Sequence, residues 1–177
     1  MVAKWVNKLD ADPLLHTFLG IVDLDHGNVA SSRIKVIGRY SFENYLLDPL
    51  VVFALLSEDG KAPSVPGLAI TSGDEHLLRS KDSSALQGIA DVICAQLEAA
   101  EPSLASLPKI AITYTAGQVI KVSKWVVSHR GHDLLPKMQR AFGGHGLINQ
   151  VRLRKAMRRC RLIPVELAVL LQEIQKH

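Results

Sequence analysis

The chain has 177 residues, 47% of them hydrophobic, and a formal net charge of +4, enough for one sizeable core in a single domain. It has no uncharged apolar run of about 18 residues. Its start, Met1-Val2-Ala3-Lys4-Trp5, lacks a signal-peptide pattern, so we expect a cytoplasmic protein without membrane contact.

Val2, Trp5, Val6 and Leu9 share one helical face, which predicts a short opening helix that Asp10-Ala11-Asp12-Pro13 ends. Thr17 to Leu24 reads as a strand that breaks into Asp23-x-Asp25, and His26-Gly27-Asn28 as a turn. A second strand is predicted over Arg33–Tyr40, alternating around Ile34, Val36 and Gly38. Ser41 is placed to cap a helix over Phe42–Ser57, which Pro49 should interrupt. A loop with Pro63 and Pro66 follows, then an amphipathic helix over Ser84–Glu101. Lys109–Tyr114 and Gln118–Val122 flank Thr115-Ala116-Gly117 as a candidate hairpin, and helices are predicted over 132–141, 147–159 and 164–175. The class is α/β: a small, partly parallel sheet flanked by helices, followed by a helical C-terminal part.

Charge is unevenly spread along this order. Residues 1–116 carry 9 Lys/Arg against 14 Asp/Glu, whereas residues 117–161 carry 11 against one, Asp133. The stretch Arg152-Leu153-Arg154-Lys155-Ala156-Met157-Arg158-Arg159-Cys160-Arg161 has six cations, with Val151, Leu153, Met157 and Cys160 on an apolar side. Arg152, Arg154, Lys155, Arg158, Arg159 and Arg161 fit a face that tracks nucleic-acid phosphates. They equally fit a solvated face, or one that meets the acidic N-terminal part.

Asp23 and Asp25 at a strand end put two oxygen ligands where open α/β sheets bind, and suit a hard cation such as Mg²⁺. The alternative is a solvated loop whose carboxylates bond local N–H groups. His129, His132 and Asp133 invite a metal reading but fit loop and cap positions as well. Cys94 and Cys160 show no ligand spacing and read as reduced thiols.

Downstream of Asp23-x-Asp25 runs Tyr40-Ser41-Phe42-Glu43-Asn44-Tyr45-Leu46-Leu47-Asp48-Pro49. Arg130-Gly131-His132-Asp133-Leu134-Leu135 and Ile163-Pro164-Val165-Glu166-Leu167 come later. In this order the segments resemble the later part of a Toprim-like domain, of the type joined to or encoded beside AAA/ABC-type ATPases in OLD-family nucleases and related phage-defence proteins. The resemblance implies an incomplete Toprim-like core over 1–57, a helix-and-strand insertion over 58–126 and a basic helical part over 127–177. It implies Mg²⁺ at Asp23 and Asp25, catalysis by these two with Glu43, and Arg130 or His132 near the phosphate. The family opens with a glutamate-bearing strand and helix, for which the 22 residues before Asp23 leave no room. We therefore expect the back portion of such a domain, with Glu43 or another chain supplying the third carboxylate. The sequence contains no Gly-x-x-x-x-Gly-Lys-Ser/Thr loop, so an ATPase would be a separate partner.

Two functions are open. One is a Mg²⁺-dependent, nuclease-like module acting on nucleic acid. The other is a non-catalytic module that works as a homo-oligomer or beside an ATPase, with or without DNA on the 152–161 helix.

Overall fold

The computed structural model describes residues 20–24, 27–31 and 33–176. The expected opening helix, the first part of the first strand, Asp25 and His26 lie outside the described residues. Strand β1 (Gly20–Val22) pairs in parallel with β2 (Ile34–Val36), Gly20 opposite Ile34. Strands β3 (Lys109–Thr113) and β4 (Val119–Ser123) form the expected antiparallel hairpin. Among the described residues these are two separate two-stranded sheets, not one small sheet.

Strand β2 is shorter than expected because its backbone donors leave the ladder. The Gly38 N–H turns to the Tyr45 hydroxyl at 3.2 Å, and the Tyr40 N–H to the Val127 carbonyl at 2.7 Å. The alternation also fails there: Gly38 is exposed, while Ile37 and Arg39 are buried. Beyond Val36 the inward positions are set by tertiary partners, not by a pleat.

Helix α1 (Glu43–Leu46) is one turn long, and Pro49 starts a new helix, α2 (Pro49–Glu58). Proline at a first helical position loses no hydrogen bond, and the Asp48 side chain caps α2 by accepting from Leu50 N–H at 3.1 Å. Ser41 does not cap α1 as expected. Its hydroxyl donates to Asn44 Oδ1 at 3.0 Å, and the Asp23 carboxylate takes the Phe42 N–H at 3.1 Å instead. Every residue from Pro49 to Ser57 is buried, so α2 is an axle apolar on all sides.

Helix α3 (Ser83–Ala100) is capped by Asp82 and buries Leu86, Ile89, Ala90, Ile93, Cys94 and Leu97 on one stripe. The hairpin lies along it, and the Gln87 amide makes two bonds to the Lys121 backbone, at 2.7 and 2.8 Å. Helices α4 (Trp125–Ser128), α5 (Gly131–Ala141), α6 (Gln150–Cys160) and α7 (Val165–Gln175) complete the chain. A buried cluster runs from Leu46 through α2, α3 and the hairpin to Leu162. A smaller one holds Ile37, Tyr45, Leu167 and Leu170. The molecule is thus α/β, with helices in the majority. Among the described residues no helix is long and apolar enough to cross a membrane.

Candidate functional site

Asp23 follows directly on β1, half-buried at its C-terminal end. The Asn28 side chain closes the following loop by donating to the Asp23 carbonyl at 2.8 Å. Beside Asp23 the one-turn α1 presents Glu43, and the start of α5 presents Arg130 and His132. These four side chains, with Tyr40 and Ser41, line one pocket of about 230 Å³. Three stretches distant in sequence therefore meet at the end of a parallel strand.

The pocket wall is held by close approach. A Cβ on Gly131 would lie 2.4 Å from Ser41 Oγ and 2.7 Å from Glu43 Cβ, so glycine lets the α5 start sit against α1. Asn44, fully buried, ties the same two parts together. Its amide donates to the carbonyls of Val126 and His129 at 3.0 and 2.9 Å, and its oxygen accepts from Ser41 N–H at 3.0 Å.

Behind this wall lies a feature that the sequence did not point to. Arg39 is fully buried, with Nη1 donating to Asp48 Oδ2 at 3.1 Å and to the Asn44 carbonyl at 3.0 Å, and Nε to Glu166 Oε1 at 3.2 Å. Its guanidinium stacks over Tyr45, 4.6 Å from the ring centroid. The Tyr114 hydroxyl lies 2.9 Å from both Asp48 oxygens. Burial pulls the Arg39 pKa down, but Asp48, then Tyr114 and Glu166, outweigh it and hold Arg39 above its ordinary value. Burial, then the Asp48 charge, push the Tyr114 hydroxyl well above its own. Arg39 Nη2 is buried with no partner among the described residues. The only sequence signal was a cation two residues past Ile37, where the alternating pattern predicted an outward side chain.

No protein-family model, curated protein or solved structure matches the chain.

The sequence-selected residues divide into those brought together and those held apart. Asp23 and Glu43 share the pocket, while Asp25 lies outside the described residues. Among the described residues no group of three or more His, Cys, Asp or Glu side chains is placed to hold a metal ion. The two carboxylates still fit Mg²⁺ by donor type, since that ion takes one or two of them and keeps several waters. His129 stands apart from His132 at the end of α4, its Nε2 buried without a partner among the described residues. Burial, then Lys137, lower its pKa, against Asp133.

The basic run forms α6 as expected, but its six cations are not equivalent. Arg152 pairs with Asp59 at 2.6 Å and Arg159 with Glu58 at 2.7 Å, so both are tied to the acidic end of α2. Arg154, Lys155, Arg158 and Arg161 are exposed and make no ion pair among the described residues. Of the expected apolar side, Leu153 and Cys160 are buried, with Ala156 beside them, and Met157 is half-buried against the core, whereas Val151 is 58% exposed. Cys94 and Cys160 are both buried free thiols, pushed up to about 12 by burial, which leaves no thiolate for nucleophilic chemistry.

Proposed function

We propose that the chain is a Toprim-like, Mg²⁺-dependent nucleic-acid-processing module that acts at the Asp23–Glu43 pocket and holds its strand through α6. The observation that carries this reading is the meeting of Asp23, Glu43, Arg130 and His132 in one pocket at a strand end. Asp23 and Glu43 would hold the ion, with room left for water and a phosphate oxygen. The ion, when bound, supplies a Lewis acid and a more acidic bound water. Arg130 offers a planar fork to the non-bridging phosphate oxygens. His132 can accept a proton from an attacking water or return one to a leaving oxygen. Arg154, Lys155 and Arg158 would hold the phosphates on either side without reading sequence.

Nicking of supercoiled plasmid with Mg²⁺ or Mn²⁺ tests the reading. Asp23→Asn retains an oxygen for the Phe42 N–H while removing the charge, so it should fold and lose nicking. His132→Gln should slow it by about 100-fold, the lower end of what general acid–base groups contribute. Wild-type protein that does not nick with either metal, or an Asp23→Asn variant as active as wild type, would count against the proposal.

The second reading, a binding module without catalysis, is favoured by one contact: an Asp23 carboxylate oxygen is already committed to the Phe42 N–H. It expects salt-sensitive DNA binding that ignores Mg²⁺ and Asp23. Under either reading the module would work as a homo-oligomer or beside an AAA/ABC-type ATPase. Exposed Ile21, Leu24 and Val29 beside β1 offer apolar surface to a second copy, which sedimentation would detect.

A further inference from the structure

A second and larger pocket, about 620 Å³, lies where the end of α6 meets the loop before the 3₁₀ turn Glu75–Ser80. Gly73, His76, Arg158, Arg159 and Arg161 line it together with two carboxylates, Glu58 and Glu75. Both carboxylates are engaged: Glu58 pairs with Arg159, and Glu75, only 2% exposed, accepts the Gly73 N–H at 2.9 Å. Arg158 and Arg161 make no ion pair among the described residues, and the lining carries three guanidinium groups against two carboxylates. His76 Nδ1 lies 3.3 Å from the Gly73 carbonyl, which leaves Nε2 without a partner among the described residues.

Arg161 also has an unusual backbone. It ends α6 at φ 53°, ψ 22°, alone among the described non-glycine residues in having a positive φ. Helices commonly end this way, but with glycine or asparagine, because a Cβ there crowds the following carbonyl. A strained position filled by a long cation points to a use for the side chain.

We propose that this pocket binds a phosphate group between the guanidinium forks of Arg158 and Arg161, and that the phosphate is the terminal one of a nucleic-acid strand. Planar forks suit phosphate oxygens in bidentate geometry, and the volume lies in the range that admits a nucleotide-sized group. Arg158 also lines a small surface pocket with Val151, Arg154 and Lys155, so a strand laid along α6 reaches the larger pocket at the helix end. The assignment to nucleic acid rests on the proposed role of α6; the binding of a phosphate does not.

Titration of the intact protein with one oligonucleotide, carrying a 5′-phosphate, a 3′-phosphate or hydroxyls only, tests the proposal, with inorganic pyrophosphate as a fourth probe. One phosphorylated end should bind at least 10-fold tighter than the hydroxyl form. Arg161→Gly and Arg158→Gln should each abolish that advantage, and Arg140→Gln, a charge loss outside this pocket, should leave it. Arg161→Gly should also raise the melting temperature by about 2–4 °C, because glycine relieves the left-handed backbone. Equal affinity for all three oligonucleotides overturns the proposal, as does an advantage that Arg140→Gln removes equally. Pyrophosphate binding without any end preference overturns the assignment to a strand end. Asp23→Asn separates the two claims: it should lose nicking and keep the phosphate preference.

Discussion

Arg39 sets the terms at the level of single residues. A fully buried guanidinium needs its charge met, and Asp48 does so while also capping α2 and accepting from Tyr114. Removing one partner of such a pair leaves an uncompensated charge in the interior. Asp48→Ala should therefore destabilise the protein by about 3–5 kcal/mol in urea denaturation. Tyr114→Phe removes only a donor to that carboxylate and should cost about 1.5–3 kcal/mol. His129 gives a pH dependence whose sign follows from its lowered pKa. The unfolded chain takes up the proton near pH 6.5, whereas the fold keeps the imidazole neutral. That contribution is present above pH 6.5 and is lost as the pH falls below it toward the folded-state value. Urea midpoints at pH 7.5 and 5.5 should differ less in His129→Gln than in the wild type.

At the level of elements, the segments that carried the family resemblance turn out to be one packed unit. Glu43 to Asp48, the α5 start and the Ile163–Leu167 segment meet through Asn44, Gly131, Arg39 and Glu166. Pro164 bridges to Tyr114 at the end of the hairpin strand, which brings Glu166 to Arg39. Gly131→Ala forces a methyl against Ser41 and the Glu43 stem. It should cost about 1–3 kcal/mol, as overpacking does, and widen the pocket enough to lower nicking at a temperature where the variant is still folded. Much at this scale was legible. The apolar stripe of α3, the hairpin turn and the proline restart at α2 are local signals, and they gave the elements within a residue or two. The start of α6 was less exact, three residues later than expected, because Asn149 caps it through Arg152 N–H at 3.1 Å. The end of β2, the inward turn of Arg39 and the bond from the Phe42 N–H to Asp23 were not legible. Each depends on partners many residues away, Val127, Asp48, Glu166 and the Phe42 N–H, that no local period encodes.

Over the whole molecule, the acidic and basic portions seen in the sequence are joined by ion pairs at two places among the described residues: Glu101 takes Lys137 and Arg140 of α5, and the end of α2 takes two cations of α6. Asp59 and Glu58 at the end of α2 hold Arg152 and Arg159, leaving Arg154, Lys155, Arg158 and Arg161 to face outward. Of the six cations the sequence offered, four are thus available to phosphates. The logarithm of DNA affinity should fall linearly with the logarithm of salt concentration, and each of Arg154→Gln, Lys155→Gln and Arg158→Gln should reduce the slope by about 1. Arg152→Gln should change the slope less and stability more, since it releases Asp59. The candidate site was legible in its members but not in its assembly. Asp23, Glu43, Arg130 and His132 were each singled out, whereas their convergence depends on Gly131 and Asn44. That convergence matters most if it holds a divalent ion. The direct measurement is Mn²⁺ titration of the intact protein, followed by electron paramagnetic resonance of the free ion. Binding should be saturable and should be lost in Asp23→Asn and in Glu43→Gln, with both variants still folded. Absence of saturable binding, or binding that both variants retain, would contradict the proposed ion site.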